Sequence, residues 1–418
     1  MKQLVIEGNR ELSGEIKISG AKNSVVALIP AAILSDEEVT LYNVPNISDT
    51  NSLIEIIELL NGKVKYENET MKIDCHNINN RVIPENLAKK LRASYYFMGA
   101  LLSKFKYAEI YFPGGCNIGS RPIDFHIKGF QKLGAEVIIE GNKYIFKADK
   151  LKGARIYLDF ASVGATINIM LAAVKAEGET YISNAAKEPE IVNIATLLNN
   201  MGAKITGAGT SEIKIVGVDK LTKGVIDVIP DRIEAGTYAI IGALLGNNLK
   251  ISGIIEEHID ALLSKLKEMG VEIKVKNNNL YISKPTSYNP INVKTLVFPG
   301  FPTDLGQPMT TLLTQADGLS IFEETIYENR MGHIKYLQKM GANIRVNDRT
   351  AIITGKTELK GQEVTATDLR AGASMVIAGL IAKGTTTINE ISHILRGYEN
   401  IVEKLSNVGA KISIKEVD

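Results

Sequence analysis

One sequence period runs through the whole chain of 418 residues. A glycine that ends a helical pattern and precedes a strand pattern recurs six times, at Gly62, Gly134, Gly202, Gly270, Gly341 and Gly409. Successive glycines are 72, 68, 68, 71 and 68 residues apart, and 418 residues divided among six units gives about 70 residues each. Glycine suits the position after a helix, because a left-handed backbone there causes it no side-chain clash. The chain is therefore expected to contain six copies of one structural unit.

Each unit combines helix and strand patterns. Before the glycine, apolar residues follow helical spacing, as at Leu262 and Leu266; after it they alternate, as at Ile273 and Val275. A more apolar helix pattern lies farther upstream, for example at 165–176. The unit therefore reads as βαβαββ, with one buried and one half-exposed helix. Its length exceeds the ~20–50 residues of most solenoid repeats, so two domains of three units are favoured over one extended array.

Composition limits the class of protein. The 48 Lys and Arg against 47 Asp and Glu give a net charge of +1, which argues against a protein that coats nucleic acid but allows local basic pockets. The longest apolar stretch, 25–34, is too short to cross a bilayer, and no apolar signal segment follows Met1. Two cysteines cannot form a disulfide framework, and the five histidines lack metal-ligand spacing. We expect a cytoplasmic, metal-free globular protein.

Unusual residues occupy one position of the repeat, 37 to 42 residues before each glycine, where the buried helix starts. They are Lys22, Arg92, Ser162, Arg232, Asp304 and Arg370. A helix start offers free N–H donors and a partial positive charge, so each is a potential anion site.

A second set of arginines precedes the amphipathic helix, at Arg121, Arg330 and Arg396. The chain has 37 Lys but only 11 Arg, so Lys is its default cation. Arginine supplies a planar, bidentate fork for phosphate or carboxylate. Helix capping or ordinary ion pairing would explain any single one. Their repeat-equivalent positions favour an anionic ligand, bound where the two sets converge in a cleft between domains.

The segment at 113–122, PGGCNIGSRP, has the composition of a mobile surface loop or lid. Cys116 would be exposed there, and Arg121 would favour its thiolate, which makes it a candidate reactive cysteine. An incidental loop thiol is the alternative. Cys75 ends a strand pattern and is expected to be inert.

Taken together, the motifs of this chain resemble those of the UDP-N-acetylglucosamine 1-carboxyvinyltransferase family of enolpyruvyl transferases over essentially its whole length. The most specific are GAKNS at 20–24, LRAS at 91–94, PGGCNIGSRPIDFH at 113–126, ASVGAT at 161–166, EPEI at 188–191, PDRIEAGT at 230–237, FPTD at 301–304, ENRMGH at 328–333, ATDLRAGAS at 366–374 and HILRGYE at 393–399. The resemblance implies a two-domain inside-out α/β barrel of six βαβαββ repeats, three per domain. It places one domain at 22–229, with the cysteine lid at 113–122, and the second at 1–21 and 230–418.

The implied reaction transfers the enolpyruvyl group of phosphoenolpyruvate to the 3′-hydroxyl of UDP-N-acetylglucosamine by addition and elimination, releasing phosphate. This is the first committed step of peptidoglycan precursor synthesis. By resemblance the catalytic residues are Cys116, Asp304, Lys22 and Arg396. Cys116 would be the general acid and could form an adduct with phosphoenolpyruvate. Asp304 would be the base for the sugar hydroxyl, although a carboxylate is a poor base unless burial raises its pKa.

The resemblance also implies the binding residues. For phosphoenolpyruvate they are Lys22, Asn23, Arg121, Arg330, Arg370 and Arg396. For UDP-N-acetylglucosamine they are Arg92, Arg121, Pro122, Ile123, Asp124, Ser162, Val163, Gly164, Asp304 and Ile326. Ser48 and Phe160 stand where the family often has Lys, which affects details of closure and uridine binding. No cofactor, metal, nucleic acid or membrane insertion is implied; a monomer and sensitivity to fosfomycin through Cys116 are expected.

Two alternatives remain open at the sequence level. A 3-phosphoshikimate 1-carboxyvinyltransferase would share the repeat, but the cysteine lid and the RPID segment at 121–124 disfavour it. An inactive homologue that binds UDP-sugar and regulates wall synthesis would keep the fold. The intact set of Lys22, Cys116, Asp304 and Arg396 argues against it.

Overall fold

The computed structural model describes residues 2–114 and 123–416. Their packing divides them into two compact units, one formed by the described part of 20–229 and the other by 2–19 with 230–416. We refer to them as the central unit and the terminal unit. The domain assignment of 22–229 and of 1–21 with 230–418 stays a prediction.

Helices and short strands alternate along both units. The helices are α1 (Lys22–Ala31), α2 (Ser48–Leu59), α3 (Glu85–Lys90), α4 (Tyr96–Phe105), α5 (Asp124–Lys132), α6 (Val163–Ala173), α7 (Pro189–Asn200), α8 (Arg232–Leu245), α9 (Asp260–Glu268), α10 (Gly306–Leu313), α11 (Ile334–Lys339), α12 (Leu369–Ile381), α13 (Ser392–Leu395) and α14 (Ile401–Asn407). Among the described helices, none has the length and apolar character that a bilayer crossing requires.

The strands are β1 (Lys2–Glu7), β2 (Glu15–Lys17), β3 (Val39–Tyr42), β4 (Lys63–Glu67), β5 (Thr70–Asp74), β6 (Tyr107–Tyr111), β7 (Glu136–Glu140), β8 (Lys143–Lys147), β9 (Arg155–Tyr157), β10 (Glu179–Ser183), β11 (Lys204–Thr206), β12 (Glu212–Val216), β13 (Gly224–Asp227), β14 (Leu249–Ser252), β15 (Glu272–Lys276), β16 (Asn279–Ser283), β17 (Asn292–Lys294), β18 (Leu319–Glu323), β19 (Asn343–Asn347), β20 (Thr350–Thr354), β21 (Glu363–Thr365), β22 (Thr385–Asn389) and β23 (Lys411–Glu416).

These strands form small sheets that share one pattern. In the order β9-β10-β12-β11, β9 pairs parallel with β10, while β12 pairs antiparallel with both β10 and β11. With α6 and α7 between the strands, this is the expected βαβαββ unit. The same order, with the parallel pair written first, recurs in β13-β3-β5-β4, β2-β14-β16-β15, β17-β18-β20-β19 and β21-β22-β1-β23. In β6-β8-β7, a parallel bridge between Ile83 and Ile110 occupies the fourth position.

Three of the sheets contain a strand from a distant part of the chain. The parallel partner of β3 is β13, whose residues follow it by more than 180 positions, and the partner of β14 is β2 near the N-terminus. In the last sheet β1 pairs with both β22 and β23. Each repeat is therefore a unit of the three-dimensional structure, and its strands do not always come from one continuous stretch of sequence.

The helix-terminating position is confirmed in five of the six units. Gly134, Gly202, Gly270, Gly341 and Gly409 have φ values between 90° and 109°. The expectation for Gly62 is wrong, since Asn61 has the left-handed backbone there, with φ of 69°. The segment LNGKV at 60–64 aligns with LGAEV at 133–137, so Asn61 is the equivalent of Gly134. Asparagine is among the non-glycine residues that tolerate this conformation.

The apolar helices form the cores of the two units. In the central unit α4 packs against both α1 and α6; in the terminal unit α8, α10 and α12 pack against one another. Residues 165–173 of α6 are all buried. A helix that is apolar on every side is stable only in such an interior. The starts of these core helices carry the residues that the sequence analysis singled out.

Candidate active site

Three of the predicted site residues, Cys116, Arg121 and Pro122, lie outside the described residues. The reactive-cysteine lid at 113–122 therefore stays a prediction. The other predicted residues lie in the described parts of the two units.

In the terminal unit, two arginines converge on one carboxylate. Asp304 lies in a 3₁₀ turn, Thr303–Leu305, immediately before α10. Arg330 Nη1 donates to Asp304 Oδ1 at 2.8 Å, and Arg370 donates to Oδ2 from Nε at 3.3 Å and from Nη2 at 3.1 Å. The arginine side chains are only 7% and 4% exposed, against 24% for that of Asp304. Buried, charge-assisted pairs of this kind are strong and geometrically specific.

The two guanidiniums determine the ionisation of Asp304. Burial alone would raise its pKa, but Arg370 and Arg330 outweigh burial and hold the pKa of this carboxyl well below its usual range. Arg232, the first residue of α8, adds to the effect. To act as a base, Asp304 was expected to need burial that raises this pKa. The pKa of Asp304 is instead lowered, because the guanidiniums lie closer to its carboxylate than the sequence spacing could reveal.

At several helix starts, capping side chains accept hydrogen bonds from some of the free backbone N–H groups. Asp368 accepts from the N–H groups of Arg370 and Ala371 at 2.9 and 3.0 Å, and Asp231 caps α8 in the same way. Ser162 accepts from Ala165 N at 3.2 Å at the start of α6. At the starts of α8 and α12 the cap therefore takes two of the four free N–H donors, and the prediction of an anion site at each helix start stays a prediction.

In the central unit, Lys22 is the first residue of α1, and Asn23 follows it. Lys22 Nζ lies 3.1 Å from Oδ2 of Asp49, a residue in the first turn of α2 whose side chain is 3% exposed. Sequence reasoning missed Asp49. An acidic residue near a helix start was the available signal, but such residues are common because they favour the helix dipole.

Arg92 belongs to a second cluster of the central unit. It begins a 3₁₀ turn, Arg92–Tyr95, and its guanidinium lies 5.9 Å from the centroid of the Tyr95 ring. Gly164 lies against the same ring, since a Cβ at this position would be 2.7 Å from Tyr95 Oη and 3.2 Å from His126 Cε1. Tyr95 therefore links the predicted residues Arg92 and Gly164, and only glycine fits at 164 without a shift of these side chains.

His126, in the first turns of α5, is fixed by the amide of Asn168. Asn168 Oδ1 accepts from Gly99 N at 2.8 Å, so its Nδ2 is the group that donates to His126 Nδ1 at 2.9 Å. His126 Nδ1 is therefore an acceptor, and the proton of the neutral ring is on Nε2. Burial, helped by the charge of Arg92, lowers the pKa of His126 to about 3. Sequence reasoning did not assign His126 or Asn168 to the site.

The remaining predicted residues lie at the ends of elements. In the central unit, Ile123 is buried immediately before α5, Asp124 starts that helix, and Val163 starts α6. In the terminal unit, Ile326 lies in the loop after β18 and donates its N–H to Glu324 Oε1 at 2.8 Å, and Arg396 directly follows α13.

No metal centre is evident within residues 2–114 and 123–416, where no group of three or more His, Cys, Asp or Glu side chains is arranged to hold an ion. The cluster of the terminal unit contains guanidinium and carboxylate groups, and the clusters of the central unit contain ammonium, guanidinium, carboxylate and imidazole groups. Such groups can hold anions and move protons.

Comparisons with known proteins give a consistent result. The family model described as EPSP synthase (3-phosphoshikimate 1-carboxyvinyltransferase) matches residues 6–405. A protein of Listeria monocytogenes named UDP-N-acetylglucosamine 1-carboxyvinyltransferase 2 is 52% identical over 411 residues, 98% of this chain and 97% of its own. A protein of the same name from Bacillus cereus is 53% identical over 413 residues, 99% of this chain and 96% of its own.

Solved structures agree with the fold. The enolpyruvyl transferase NikO from Streptomyces tendae has a TM-score of 0.90 and 26% identity, covering 100% of this chain and 99% of its own. EPSP synthase from Acinetobacter baumannii has a TM-score of 0.78 at 19% identity over 100% of both chains, which bears on the fold alone. The expected α/β enolpyruvyl transferase fold is confirmed. The matches along nearly the whole length mean that the chain belongs to the enolpyruvyl transferase family, within its group of UDP-N-acetylglucosamine 1-carboxyvinyltransferases.

Proposed function

We propose that this protein transfers the enolpyruvyl group of phosphoenolpyruvate to the 3′-hydroxyl of UDP-N-acetylglucosamine and releases phosphate. The names of relatives at 52% and 53% identity support this activity. The observation in the site that carries it is the convergence of Arg330 and Arg370 on Asp304. Two nearly buried guanidiniums beside one carboxylate provide cations for an anionic substrate and a candidate base for its partner.

The reaction needs an acid, a base and several cations. In the addition step the sugar 3′-oxygen bonds to carbon 2 of phosphoenolpyruvate, carbon 3 gains a proton, and the sugar hydroxyl loses one. In the elimination step carbon 3 loses a proton, the bond from carbon 2 to the phosphate oxygen breaks, and the double bond re-forms. We assign the proton for carbon 3 to Cys116 and the removal of the hydroxyl proton to Asp304.

Binding of phosphoenolpyruvate would also make Asp304 a better base. Its pKa is low because Arg330 and Arg370 both donate to it. An anionic group of the substrate that shares these guanidiniums weakens their hold on the carboxylate and raises its pKa. The base then becomes effective when the donor substrate is bound, and both guanidiniums remain to offset the charge of the intermediate.

The other assignments complete the proposal. Phosphoenolpyruvate is contacted by Lys22, Asn23, Arg121, Arg330, Arg370 and Arg396. UDP-N-acetylglucosamine is contacted by Arg92, Arg121, Pro122, Ile123, Asp124, Ser162, Val163, Gly164, Asp304 and Ile326. One domain comprises residues 22–229, and the other comprises 1–21 with 230–418. The protein acts as a cytoplasmic monomer. Its reaction belongs to peptidoglycan precursor synthesis, and so serves cell-shape maintenance and division.

The test is release of phosphate from phosphoenolpyruvate by the purified protein at neutral pH, with either UDP-N-acetylglucosamine or shikimate 3-phosphate as acceptor. We expect release that depends on the nucleotide sugar, together with formation of its enolpyruvyl ether. Release only with shikimate 3-phosphate would replace the proposed acceptor. Absence of turnover with both, in a folded protein, would favour the inactive UDP-sugar-binding homologue.

A further inference from the structure

Arg370 has a third anchor that lies away from Asp304. Its Nη1 donates to the hydroxyl of Tyr398 at 3.2 Å, and that hydroxyl lies 2.8 Å from Thr237 Oγ1. Thr237 Oγ1 donates to the carbonyl oxygen of Ile233, one turn earlier in α8, at 2.8 Å. Four residues of the terminal unit thus form one hydrogen-bonded chain that connects α12 to α8.

The direction of every bond in this chain is determined by chemistry. The carbonyl of Ile233 can only accept, so the Thr237 hydroxyl hydrogen is used there. Thr237 Oγ1 must then accept the hydrogen of the Tyr398 hydroxyl. Since a guanidinium has donors and no acceptor, the Tyr398 oxygen accepts from Arg370. Each hydroxyl donates once and accepts once, which leaves one arrangement of hydrogens.

The hydrogen-bonded chain from Arg370 to Ile233 is protected from solvent. Tyr398 and Thr237 are each 1% exposed, and the Arg370 side chain is 4% exposed. The guanidinium carbon of Arg370 also lies 5.5 Å from the centroid of the Tyr398 ring, within the range of a cation–π contact. Burial raises the pKa of Tyr398, so its hydroxyl keeps the proton that it donates. Hydrogen bonds to a charged group in such an environment are among the stronger ones in proteins.

The geometry of the guanidinium determines what the hydrogen-bonded chain does to Arg370. Arg370 presents Nε and Nη2 to Asp304 and Nη1 to Tyr398. Because the guanidinium is planar and rigid, holding Nη1 also fixes the directions of the other two nitrogens. Arg330 is held differently, since its Nη1 donates both to Thr303 Oγ1 and to Asp304 Oδ1, which belong to one short turn.

We propose that Tyr398 and Thr237 are positioning residues that hold the plane of Arg370 so that its Nε and Nη2 face the anion that binds beside Asp304. The inference rests on the proposed function for the identity of that anion, phosphoenolpyruvate. It adds to that function two residues, neither of which touches substrate, that set how well Arg370 binds the donor substrate.

The kinetic test compares Tyr398→Phe with a matched control, Tyr288→Phe. Tyr288 is also buried in the terminal unit and donates one hydrogen bond, to Ala243 O at 2.8 Å, but its partner is a backbone carbonyl. We expect Tyr398→Phe to lower kcat/KM for phosphoenolpyruvate by about 10- to 100-fold, the loss typical of a hydrogen bond to a charged group. The KM for UDP-N-acetylglucosamine should change little in both variants.

Thr237 provides the rescue experiment. Thr237→Val removes the acceptor of the Tyr398 hydroxyl and should show part of the same defect, whereas Thr237→Ser retains the hydroxyl and should restore kcat/KM. Adding Thr237→Val to Tyr398→Phe should have no further kinetic effect, because the phenyl ring cannot use the acceptor. A general loss of stability would produce none of these specific relations.

A binding measurement without turnover separates this inference from the proposed function. The increase in Tm that inorganic phosphate causes should be smaller in Tyr398→Phe than in the wild type and in Tyr288→Phe. If the wild type turns over phosphoenolpyruvate but Tyr398→Phe matches Tyr288→Phe in kcat/KM and in this increase, the inference is wrong. If the wild type shows no turnover, the proposed function fails, and the phosphate-induced increase in Tm still decides the inference.

Discussion

Asparagine at position 304 would keep the shape of the site and remove its central negative charge. In the wild type Asp304 accepts from Arg330 and Arg370 at 2.8 to 3.3 Å. Two unit charges about 4 Å apart interact by about 4 kcal/mol at an effective dielectric constant of about 20. Desolvation offsets part of this, and removing one partner from a buried pair typically costs about 3–5 kcal/mol. For a domain of about 200 residues, at roughly 2–4 °C per kcal/mol, Tm should fall by about 6–20 °C.

The assay is thermal unfolding of wild type and Asp304→Asn at neutral pH, with and without inorganic phosphate. The control is Asp348→Asn, at an exposed position in the turn between β19 and β20, where φ of 52° suits asparagine and Tm should change little. Phosphate should stabilise Asp304→Asn more than the wild type, because the guanidiniums no longer share an internal anion. The reasoning would be refuted by a Tm within 2 °C of the wild type, or by equal stabilisation of both proteins by phosphate.

The pH dependence of stability gives a second measurement on the same variant. The pKa of Asp304 is lowered in the folded protein, so the unfolded chain takes up its proton first as pH falls. The stability that Asp304 contributes is complete above its unfolded pKa of about 3.9 and is lost below it. The difference in free energy of unfolding between wild type and Asp304→Asn should therefore be constant near neutral pH and shrink below about pH 4.

Three further predictions concern other parts of the molecule. Fosfomycin should add once, to Cys116 and not to Cys75, as measured by mass spectrometry of digested protein, because burial raises the pKa of the Cys75 thiol to about 12. Arg330→Lys should lower the rate of phosphate release by about 10²–10³, whereas Arg345→Lys, on an exposed position of β19, should leave it nearly unchanged; equal losses would contradict the assignment. Wild-type stability should decline as pH falls from about 6.5 toward 3, because His126 takes up a proton in the unfolded chain before it does so in the folded one; denaturant titrations should show a shallower decline for His126→Gln.

The repeat could be predicted from sequence because it rests on local backbone requirements. A left-handed residue must follow each amphipathic helix, and glycine satisfies this in five units. Asn61 satisfies it in the sixth, where the presence of Gly62 one residue later misplaced the prediction. The pairing of β1, β2 and β13 with distant strands was not predictable from the period, because strand pairing over such separations depends on tertiary packing.

From residue type and repeat position alone, the sequence could single out only part of the candidate site; the other assignments came from the family resemblance. Arg330, Arg370 and Asp304 stood out by type and repeat position, and the structure brings these three together. Tyr398 and Thr237 gave no such signal, since buried tyrosines and threonines are common. The ionisation of Asp304 also could not be predicted, because burial and neighbouring positive charge act on its pKa in opposite directions, and only distances decide which prevails.

The capped helix starts affect how the site can work. At α12, Asp368 takes the N–H groups of Arg370 and Ala371, so the cation available there is the side chain of Arg370 rather than the backbone. Backbone donors are fixed in place, whereas a guanidinium can divide its donors between Asp304 and an incoming anion. In the mechanism that we propose, that division would let Arg370 restrain the Asp304 carboxylate before phosphoenolpyruvate binds and release it as a base afterwards. The arrangement requires that the guanidinium stay in one plane while its partners change, which is the role that we assign to Tyr398 and Thr237.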